Sequence, residues 1–241
     1  MHLSDYKWFA AQAAESGPSA ALVVRRLGLQ EYESIFKSMR YLAEYPQPDR
    51  SDEIWLLSHK PVYTQGQAGK PEHILNSGDI PVVQVDRGGQ ITYHGPGQLV
   101  AYLLINVRRR KMGVRSLVDL IEQAIIKTLS HYEIEAATRP GAPGVYVNDA
   151  KIAALGLRIK NGWTYHGLSL NVNMDLSPFR NINPCGFEKL QITQVTDLVP
   201  GGEQLLLSVS RKLADALLQG LGYYPHYGLS ASEGSRATQF G

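Results

Sequence analysis

The chain has 241 residues, of which 44% are hydrophobic and 19% are charged, and its formal net charge at pH 7 is +2. These values are ordinary for a soluble globular protein, and a small net charge from scattered basic residues gives no nucleic-acid-binding footprint. A single cysteine excludes an intramolecular disulfide and fits a reducing compartment. The sequence has neither a long apolar run nor a basic-then-apolar leader. We therefore expect a cytoplasmic protein without a membrane segment.

The two ends of the chain differ from its centre. Near the N-terminus, Trp8-Phe9-Ala10-Ala11 is a short apolar island followed by small and polar residues, and the last dozen residues are also small and polar. Segments of this composition are often poorly ordered. We expect a flexible extension over residues 1–20, a single domain over residues 21–225 and a tail over residues 226–241, since no change of composition divides the central part.

Hydrophobic periodicity predicts three long helices. The first covers residues 30–45, where apolar residues recur at three-and-four spacing up to Pro46. The second covers residues 116–132, with Ser116 as its predicted N-cap. The third covers residues 204–221 and has a continuous leucine-rich face.

Apolar runs between the helices predict about eight strands, mostly joined as hairpins. The clearest are residues 22–26, 54–59, 82–85, 99–107, 144–147, 151–159 and 163–172. Asn148-Asp149 and Asn161-Gly162 are hairpin-turn signals, so the last three strands should form an antiparallel meander. These elements indicate an α+β fold with a mixed, largely antiparallel sheet flanked by helices.

The most unusual stretch is residues 86–102, in which four glycines and a proline interrupt a strand-like alternation. Glycine at this density indicates turns with positive φ, or a main chain that a ligand approaches closely. The stretch is not a dinucleotide-binding fingerprint, because Gly95-Pro96-Gly97 leads into a strand and not into a helix. A glycine-rich excursion between two strands would place its polar side chains at one rim of a sheet.

Cys185 is the only thiol, and it lies in the turn-forming segment Asn183-Pro184-Cys185-Gly186-Phe187. A lone cysteine is most often a small buried hydrophobe. At a turn followed by glycine it can instead be a nucleophile, with nearby backbone N–H groups as an oxyanion hole. The residues alone leave both interpretations open.

A cysteine nucleophile needs a group that stabilises its thiolate. Lys151 opens an otherwise apolar strand and would supply an ammonium if it were held in a dry site, although most lysines at such positions are solvated. His94 and His166 are the other conventional partners, whereas His59 is interpreted as a strand-end histidine. The pattern therefore predicts a Cys/Lys or a Cys/His site and does not choose between them.

Two other kinds of site are not indicated. No metal site is expected, since no His, Cys or Asp pair has ligand spacing, and no phosphate-binding GxxxxGK[ST] loop is present. The glycines of residues 86–102, together with the apolar runs 152–157 and 168–172, suit an elongated apolar ligand better than a charged nucleotide.

Five ordered motifs contain most of these residues: HKPVYTQG (59–66), RGGQITYHGPGQ (87–98), KIAALG (151–156), HGLSLNV (166–172) and PCG (184–186). Through these motifs the chain resembles the octanoyltransferases of lipoate biosynthesis, a family of cysteine/lysine acyltransferases, over about residues 22–198. The resemblance implies the fold of the catalytic domains of biotin and lipoate ligases.

The resemblance also implies an activity and its partners. An octanoyl group would pass from octanoyl-acyl carrier protein to a specific lysine of a lipoyl domain, through a thioester on the enzyme's cysteine. The acceptors would be the lipoyl domains of 2-oxoacid dehydrogenases and the glycine cleavage H protein. Because exchange of one thioester for another is nearly isoenergetic, no ATP and no other cofactor is expected. We also expect the protein to be a monomer.

Roles for single residues follow from the same resemblance. Cys185 would be the nucleophile, and Lys151 would stabilise its thiolate and carry the proton. His94 and Tyr93 are expected to face the thioester end of the acyl pocket. The pocket would be lined by Arg87, Gly88, Gly89, Gln90, Ile91, Thr92, Tyr93, His94, Ala154, Leu155, Gly156, Gly167, Leu168 and Ser169.

One further hypothesis concerns the basic run Arg108–Lys111, which would dock an acidic carrier protein, with a solvated turn as the alternative. Three other functions also stay open. An ATP-dependent lipoate or biotin ligase of the same fold would bind nucleotide and would not need Cys185. A binding module without activity would gain no covalent adduct, and a cysteine hydrolase using His94 or His166 would release free acid.

Overall fold

The computed structural model describes residues 8–12, 22–47, 49–187 and 190–226. These residues form three long helices: α1 (Tyr32–Glu44), α2 (Val114–Ser130) and α3 (Glu203–Gly220). They also form the strands β1 (Trp8–Gln12), β2 (Leu22–Gln30), β3 (Asp52–His59), β4 (Val62–Gln65), β5 (Val82–Gln84), β6 (Ile91–His94), β7 (Gln98–Leu104), β8 (Ala137–Thr138), β9 (Val145–Val147), β10 (Ala150–Lys160), β11 (Trp163–Asn171) and β12 (Tyr223–His226).

Nine strands of the described residues form one mixed sheet, in the order β12-β1-β2-β3-β7-β11-β10-β9-β8. Within it β2 and β3 are parallel, whereas β3, β7, β11 and β10 pair antiparallel in succession. A second sheet has three strands in the order β5-β4-β6. The α+β fold with a mixed, largely antiparallel sheet flanked by helices is therefore confirmed.

Side chains alternate along the central strands, so the two faces of the large sheet bury different helices. Ile54 and Leu56 of β3 lie in the core that includes α2 and α3. Trp55 and Leu57 of the same strand pack with α1 on the other face. Helices on both faces remove the sheet from water and leave a layered molecule with α1 on one side of it.

Both predicted hairpin turns are present. Asn148 and Asp149, with φ of 44° and 73°, join β9 to β10. Asn161 and Gly162, with φ of 52° and 85°, join β10 to β11. Positive φ at both central residues is what a type I′ turn requires, and Asn, Asp and Gly adopt it most readily. The meander β9-β10-β11 thus follows directly from local turn chemistry.

Two boundaries differ from the expectations. Helix α2 begins at Val114, with Gly113 in an extended conformation as its N-cap, so Ser116 lies inside the first turn and is not the cap. In the predicted N-terminal extension, Trp8–Gln12 form β1, which pairs with both β2 and β12. Those five residues are part of the sheet, because their backbone groups complete the ladders of two neighbours. The other residues of the predicted extension, and those of the tail after position 226, lie outside the described residues.

Candidate active site

Cys185 lies in a short turn, Pro184–Gly186, and has a left-handed backbone with φ of 56°. The turn is held by hydrogen bonds from the Gly186 N–H to the Asn183 carbonyl (2.9 Å) and from the Phe187 N–H to the Pro184 carbonyl (3.1 Å). A left-handed conformation is unfavourable for a residue with a side chain, and such strain is concentrated at functional sites. Cys185 is partly exposed, so a substrate can reach its thiol.

The partner of this thiol is Lys151. Its Nζ lies 3.2 Å from the Cys185 Sγ and donates a second hydrogen bond to the Pro143 carbonyl at 3.1 Å. The ammonium also lies over the ring of Tyr146, 5.2 Å from the centroid. Lys151 is only 4% exposed, so this lysine is in a dry site and is not the solvated hairpin residue of the alternative interpretation.

The backbone around Lys151 explains its burial. On one side its strand pairs with β9, where the register shifts between Lys151 and Ala153. On the other side its N–H bonds to the Gln191 carbonyl (2.8 Å), and its carbonyl accepts from the N–H of Thr193 (3.1 Å). Lys151 is therefore flanked by chain on both sides, and its side chain has little access to water.

Two opposing effects set the charge of Lys151. Burial lowers the pKa of Lys151, whereas the negative charge of Cys185, with smaller contributions from Tyr146, raises it. The result is a pKa above the ordinary value of a lysine. The ammonium form is thus favoured while the cysteine is a thiolate, which is the arrangement of a thiolate–ammonium pair.

Cys185 borders a cavity on the α1 side of the sheet, because Tyr32 of α1 and Val100 and Tyr102 of β7 also line it. Most of the predicted pocket residues lie on its walls: Arg87, Gly89, Gln90, Ile91, Thr92, His94, Ala154, Leu155, Gly156, Gly167, Leu168 and Ser169. A smaller space also borders Cys185 and is lined by Lys151, Phe179 and Ile192. Cys185 therefore borders both spaces.

Two predicted pocket residues are placed elsewhere. Tyr93 points away from the cavity and packs against Tyr63 and Phe179, with ring centroids 5.5 Å apart in each case. The reason is the alternation along β6, which turns Thr92 and His94 towards the cavity and Tyr93 away from it. Tyr93, which was expected at the thioester end of the pocket, therefore does not line this cavity. Gly88 does not line the cavity either, and its N–H bonds to the Leu157 carbonyl of β10 at 3.3 Å.

His94 is occupied at both ring nitrogens. Its Nδ1–H donates to the Gln98 Oε1 (2.7 Å), and its Nε2 accepts from the Thr64 hydroxyl (3.3 Å). Burial, followed by the proximity of His59, lowers its pKa to about 3. His94 is thus a neutral structural group and is not the base of a Cys/His site.

A directional chain of hydrogen bonds passes through His94. An Arg87 Nη2 donates to the Thr64 hydroxyl (2.9 Å), and beyond His94 the Gln98 Nε2 donates to the Asn171 Oδ1 (2.9 Å). Asn171 in turn donates to the Thr193 carbonyl (3.0 Å). The chain ties the glycine-rich stretch to β11 and to the segment beside Lys151, so these polar groups are buried at little cost.

Arg87 also holds the glycine-rich loop itself. Its Nη2 donates to the carbonyls of Thr64 (2.7 Å) and Gln90 (2.8 Å), and its Nη1 donates to the Gly88 carbonyl (2.9 Å). Burial lowers its pKa, while the charges of Tyr32 and Cys185 act in the opposite direction. The guanidinium therefore holds the loop together through its bonds to three backbone carbonyls.

His166 lines the same cavity and is 1% exposed. Its Nε2–H donates to the Asp86 Oδ1 (3.0 Å), and among the described residues its Nδ1 has no hydrogen-bond partner. Burial lowers the pKa of His166 despite the opposing effect of Asp86. Its φ of 61° in the middle of β11 breaks the alternation, so His166 and Tyr165 stack on the same side and both bond to Asp86.

His59, the last residue of β3, is buried as a strand-end histidine, as interpreted from the sequence. Its Nδ1–H donates to the Gln30 carbonyl (3.1 Å), and its Nε2 accepts from the Tyr102 hydroxyl (2.7 Å). Burial lowers its pKa to about 4. His59 therefore supports the wall of the cavity through Tyr102. Tyr32 and Tyr102 themselves were not singled out from the sequence, because their apolar spacing is the same as that of core residues.

Two residues of the basic run Arg108–Lys111 form ion pairs inside the fold. Arg109 and Arg110 each bond to Asp52 at 2.6 Å, and Asp52 is fully buried. Their charges are thus already compensated. The hypothesis of carrier docking remains a prediction for the exposed Arg108 and Lys111.

The described ranges contain neither a membrane-spanning helix nor a metal-binding cluster. No helix there is long and apolar enough to cross a membrane. No group of three or more His, Cys, Asp or Glu side chains in those ranges is arranged to hold a metal ion.

Comparison with known proteins gives consistent matches. The family model of the lipoyl protein ligase A/B catalytic domain matches residues 31–217. The octanoyltransferase of Vibrio campbellii is 56% identical over 202 residues, covering 84% of this chain and 91% of that protein. The octanoyltransferase of Pseudomonas putida is 58% identical over 205 residues, covering 85% of this chain and 94% of that protein.

Solved structures agree at the level of the fold. Lipoate-protein ligase A bound with ATP matches with a TM-score of 0.64 and 14% identity, over 83% of this chain and 84% of that one. The bipartite lipoate protein ligase of Thermoplasma acidophilum matches with a TM-score of 0.59 and 18% identity, over 81% and 83% of the two chains. The expected fold of a lipoate ligase catalytic domain is confirmed.

Proposed function

This chain belongs to the family of the lipoyl protein ligase A/B catalytic domain, as one of its octanoyltransferases, and we propose that it transfers the octanoyl group through a thioester on Cys185. The observation that carries the proposal is the 3.2 Å contact between the Lys151 Nζ and the Cys185 Sγ in a nearly dry site that borders the cavity. An ammonium at this distance favours the thiolate, which is the nucleophilic form of cysteine.

In the first half-reaction the Cys185 thiolate attacks the carbonyl carbon of the octanoyl thioester on the acyl carrier protein. The bond between that carbon and the carrier's sulfur breaks, and the departing sulfur takes a proton from the Lys151 ammonium. The products are S-octanoyl Cys185, a free carrier thiol and a neutral Lys151. One thioester replaces another, so the step requires no nucleotide.

Acylation reverses the balance that sets the charge of Lys151. The negative charge of Cys185, which raises the pKa of the lysine, is gone, and burial, which lowers that pKa, remains. Neutral Lys151 then accepts a proton from the attacking amine of the lipoyl-domain lysine, which arrives having lost its first proton to solvent. The amide forms, Cys185 leaves as a thiolate, and the ion pair is restored.

The partners of the two half-reactions belong to the same proposal. The donor is octanoyl-acyl carrier protein, and the acceptors are the lipoyl domains of 2-oxoacid dehydrogenases and the glycine cleavage H protein. The enzyme acts as a monomer in the cytoplasm, where a reducing environment keeps its one thiol free.

The test is the intact mass of the enzyme after incubation with octanoyl-acyl carrier protein. We expect the wild type to gain the mass of one octanoyl group and to lose it again when a lipoyl domain is added. Cys185→Ser should keep the far-UV circular dichroism spectrum of the wild type and gain no adduct. A Cys185→Ser enzyme that transfers octanoyl groups at the wild-type rate would overturn the mechanism, and release of free octanoate on addition of the lipoyl domain would indicate a hydrolase.

A further inference from the structure

Glu122 is a buried carboxylate on the mostly apolar buried face of α2. It is 8% exposed and lies on α2 between Ile121 and Ala124, both of which belong to the core. A carboxylate in such a place costs free energy unless a partner compensates it. Its Oε1 accepts a hydrogen bond from the backbone N–H of Gly144 at 3.0 Å.

The same peptide unit also holds the proposed catalytic lysine. The N–H of Gly144 and the carbonyl of Pro143 belong to one planar peptide, and that carbonyl accepts the hydrogen bond from the Lys151 Nζ at 3.1 Å. A carboxylate at the N–H end and an ammonium at the carbonyl end polarise the peptide in the same direction. Hydrogen bonds in such a series strengthen one another in a low-dielectric interior.

The contact between this peptide and the lysine is close. Gly144 has a φ of 138°, and a Cβ placed on it would lie 2.9 Å from the Lys151 Cε and 2.7 Å from the Ala153 carbonyl oxygen. Both distances are too short for a carbon atom, so only glycine allows the 143–144 peptide to pack against the lysine. A displacement of this peptide would therefore displace the Lys151 side chain.

We propose that Glu122 is a positioning residue that acts on Cys185 through the 143–144 peptide and Lys151. By fixing and polarising the Pro143 carbonyl, it holds the Lys151 ammonium 3.2 Å from the Sγ. This role rests on the proposed function of the Cys185–Lys151 pair. The connected groups are the carboxylate of α2, the 143–144 peptide, the ammonium and the thiolate.

The experiment measures the rate of Cys185 alkylation by iodoacetamide as a function of pH, in the full chain. Lys151→Ala serves as the reference for complete loss of the ammonium. We expect Glu122→Leu, which leaves the Gly144 N–H unpaired, to slow alkylation at neutral pH by roughly tenfold and to move the profile to higher pH. Glu122→Gln keeps an acceptor oxygen but no charge, so its shift should be in the same direction and smaller.

The matched control is Asp119→Asn. Asp119 lies on the same helix, one turn earlier, and its exposed side chain pairs with Arg115. Its removal should leave the alkylation profile and the transfer rate unchanged. In steady-state transfer assays the Glu122 variants should lower kcat more than they raise KM for the carrier, since the change affects the reacting groups and not the docking surface.

Wild-type profiles in both folded Glu122 variants would overturn the proposal. If Glu122→Leu does not fold, the isosteric Glu122→Gln is the test. An alkylation profile of Glu122→Gln that equals the wild-type profile would then overturn the proposal. Alkylation requires no octanoyl substrate, so this result is independent of the acyl-enzyme test. If the wild-type enzyme forms no octanoyl adduct, the proposed function is refuted. The alkylation experiment still tests whether Glu122 affects the reactivity of the thiol.

Discussion

Burial disfavours the charged forms of Lys151 and of the nearby histidines alike. The outcome for each residue depends on whether a nearby charge compensates its burial. A negative charge on Cys185 raises the pKa of Lys151 and so opposes the effect of its burial. For His59 and His94 burial outweighs the groups that raise the pKa, and it lowers their pKa values to about 4 and about 3. A neutral imidazole with both nitrogens occupied cannot stabilise a thiolate. Lys151 is therefore the residue that fits the chemistry at Cys185.

Asp86 gives a prediction with a defined pH dependence. Burial raises the pKa of Asp86, but the hydrogen bonds from His166 and Tyr165 together lower it by more. The resulting pKa is about 2, against an ordinary value of 3.8. A carboxyl with a depressed folded pKa stabilises the protein above its unfolded pKa and loses that effect as the pH falls through the folded pKa. We expect Asp86→Asn to lower the Tm at pH 7, and the difference from the wild type to shrink as the pH falls from 4 to 2.

Thermal unfolding followed by circular dichroism over this pH range measures the effect. Asp86 does not contribute to the pKa values of His59 and His94, so the protonation of these two histidines cancels in the difference. His166 loses its charged partner in Asp86→Asn, so its contribution is part of the measured effect of the Asp86 charge. A difference in Tm that stays constant down to pH 2 would show that Asp86 acts by packing and not by its charge.

The strands that carry the site depart from regular geometry at particular points. The register of β10 shifts beside Lys151, and β11 has positive φ at His166. The loop between β6 and β7 turns at Gly97, where φ is 84° and a Cβ would lie 1.8 Å from the Asn173 carbonyl oxygen. Among these irregularities, the one at His166 breaks the alternation of β11 at a residue that lines the cavity.

Gly97→Ala tests the close approach of that loop. The methyl group would meet the backbone of Asn173, whose N–H also bonds to the Gly97 carbonyl at 3.1 Å, so the loop must move. We expect the free energy of unfolding in urea to fall by at least about 2 kcal/mol. Gly141→Ala is the matched control, because its φ of 74° is similar but no atom lies within 4 Å of its Cβ.

The control separates the two causes of the effect. Gly141→Ala measures the cost of positive φ alone, about 1–2 kcal/mol. The excess loss in Gly97→Ala is the cost of the collision with Asn173. Equal losses in the two variants would contradict the close approach.

The whole molecule depends on buried charges that join distant elements. Asp52 at the start of β3 is fully buried and accepts from Arg109, from Arg110 and from the backbone N–H of Asn106 at 2.9 Å. Arg110 also donates to the Leu221 carbonyl at 3.0 Å, beyond α3. The central sheet, the turn after β7 and the end of α3 are thus held at one point.

Asp52→Ala should be strongly destabilising. It leaves two partly buried guanidinium groups without their counter-charge, and breaking a buried ion pair in this way typically costs about 3–5 kcal/mol. The urea midpoint should fall with little change in slope. Neutralising the exposed Arg115–Asp119 pair should change the midpoint little, and an equal fall in both would argue against the role of burial.

The sequence by itself determined the class of the molecule and predicted the chemistry of its site. Alternating apolar residues, helical periodicity and the Asn-Asp and Asn-Gly turns indicated the helices and the meander, because these signals are local. The five motifs indicated an octanoyltransferase, with Cys185 and Lys151 as the reactive pair.

Only the tertiary structure decided which groups meet. Local patterns left a lysine and two histidines open as partners of Cys185, and the choice depended on contacts across 34 residues. The same holds for Tyr93, which the alternation of β6 turns away from the cavity, and for Glu122, which α2 brings to Gly144. Burial and charge compensation depend on the packing of distant segments, so they are properties of the folded chain and not of any one stretch of its sequence.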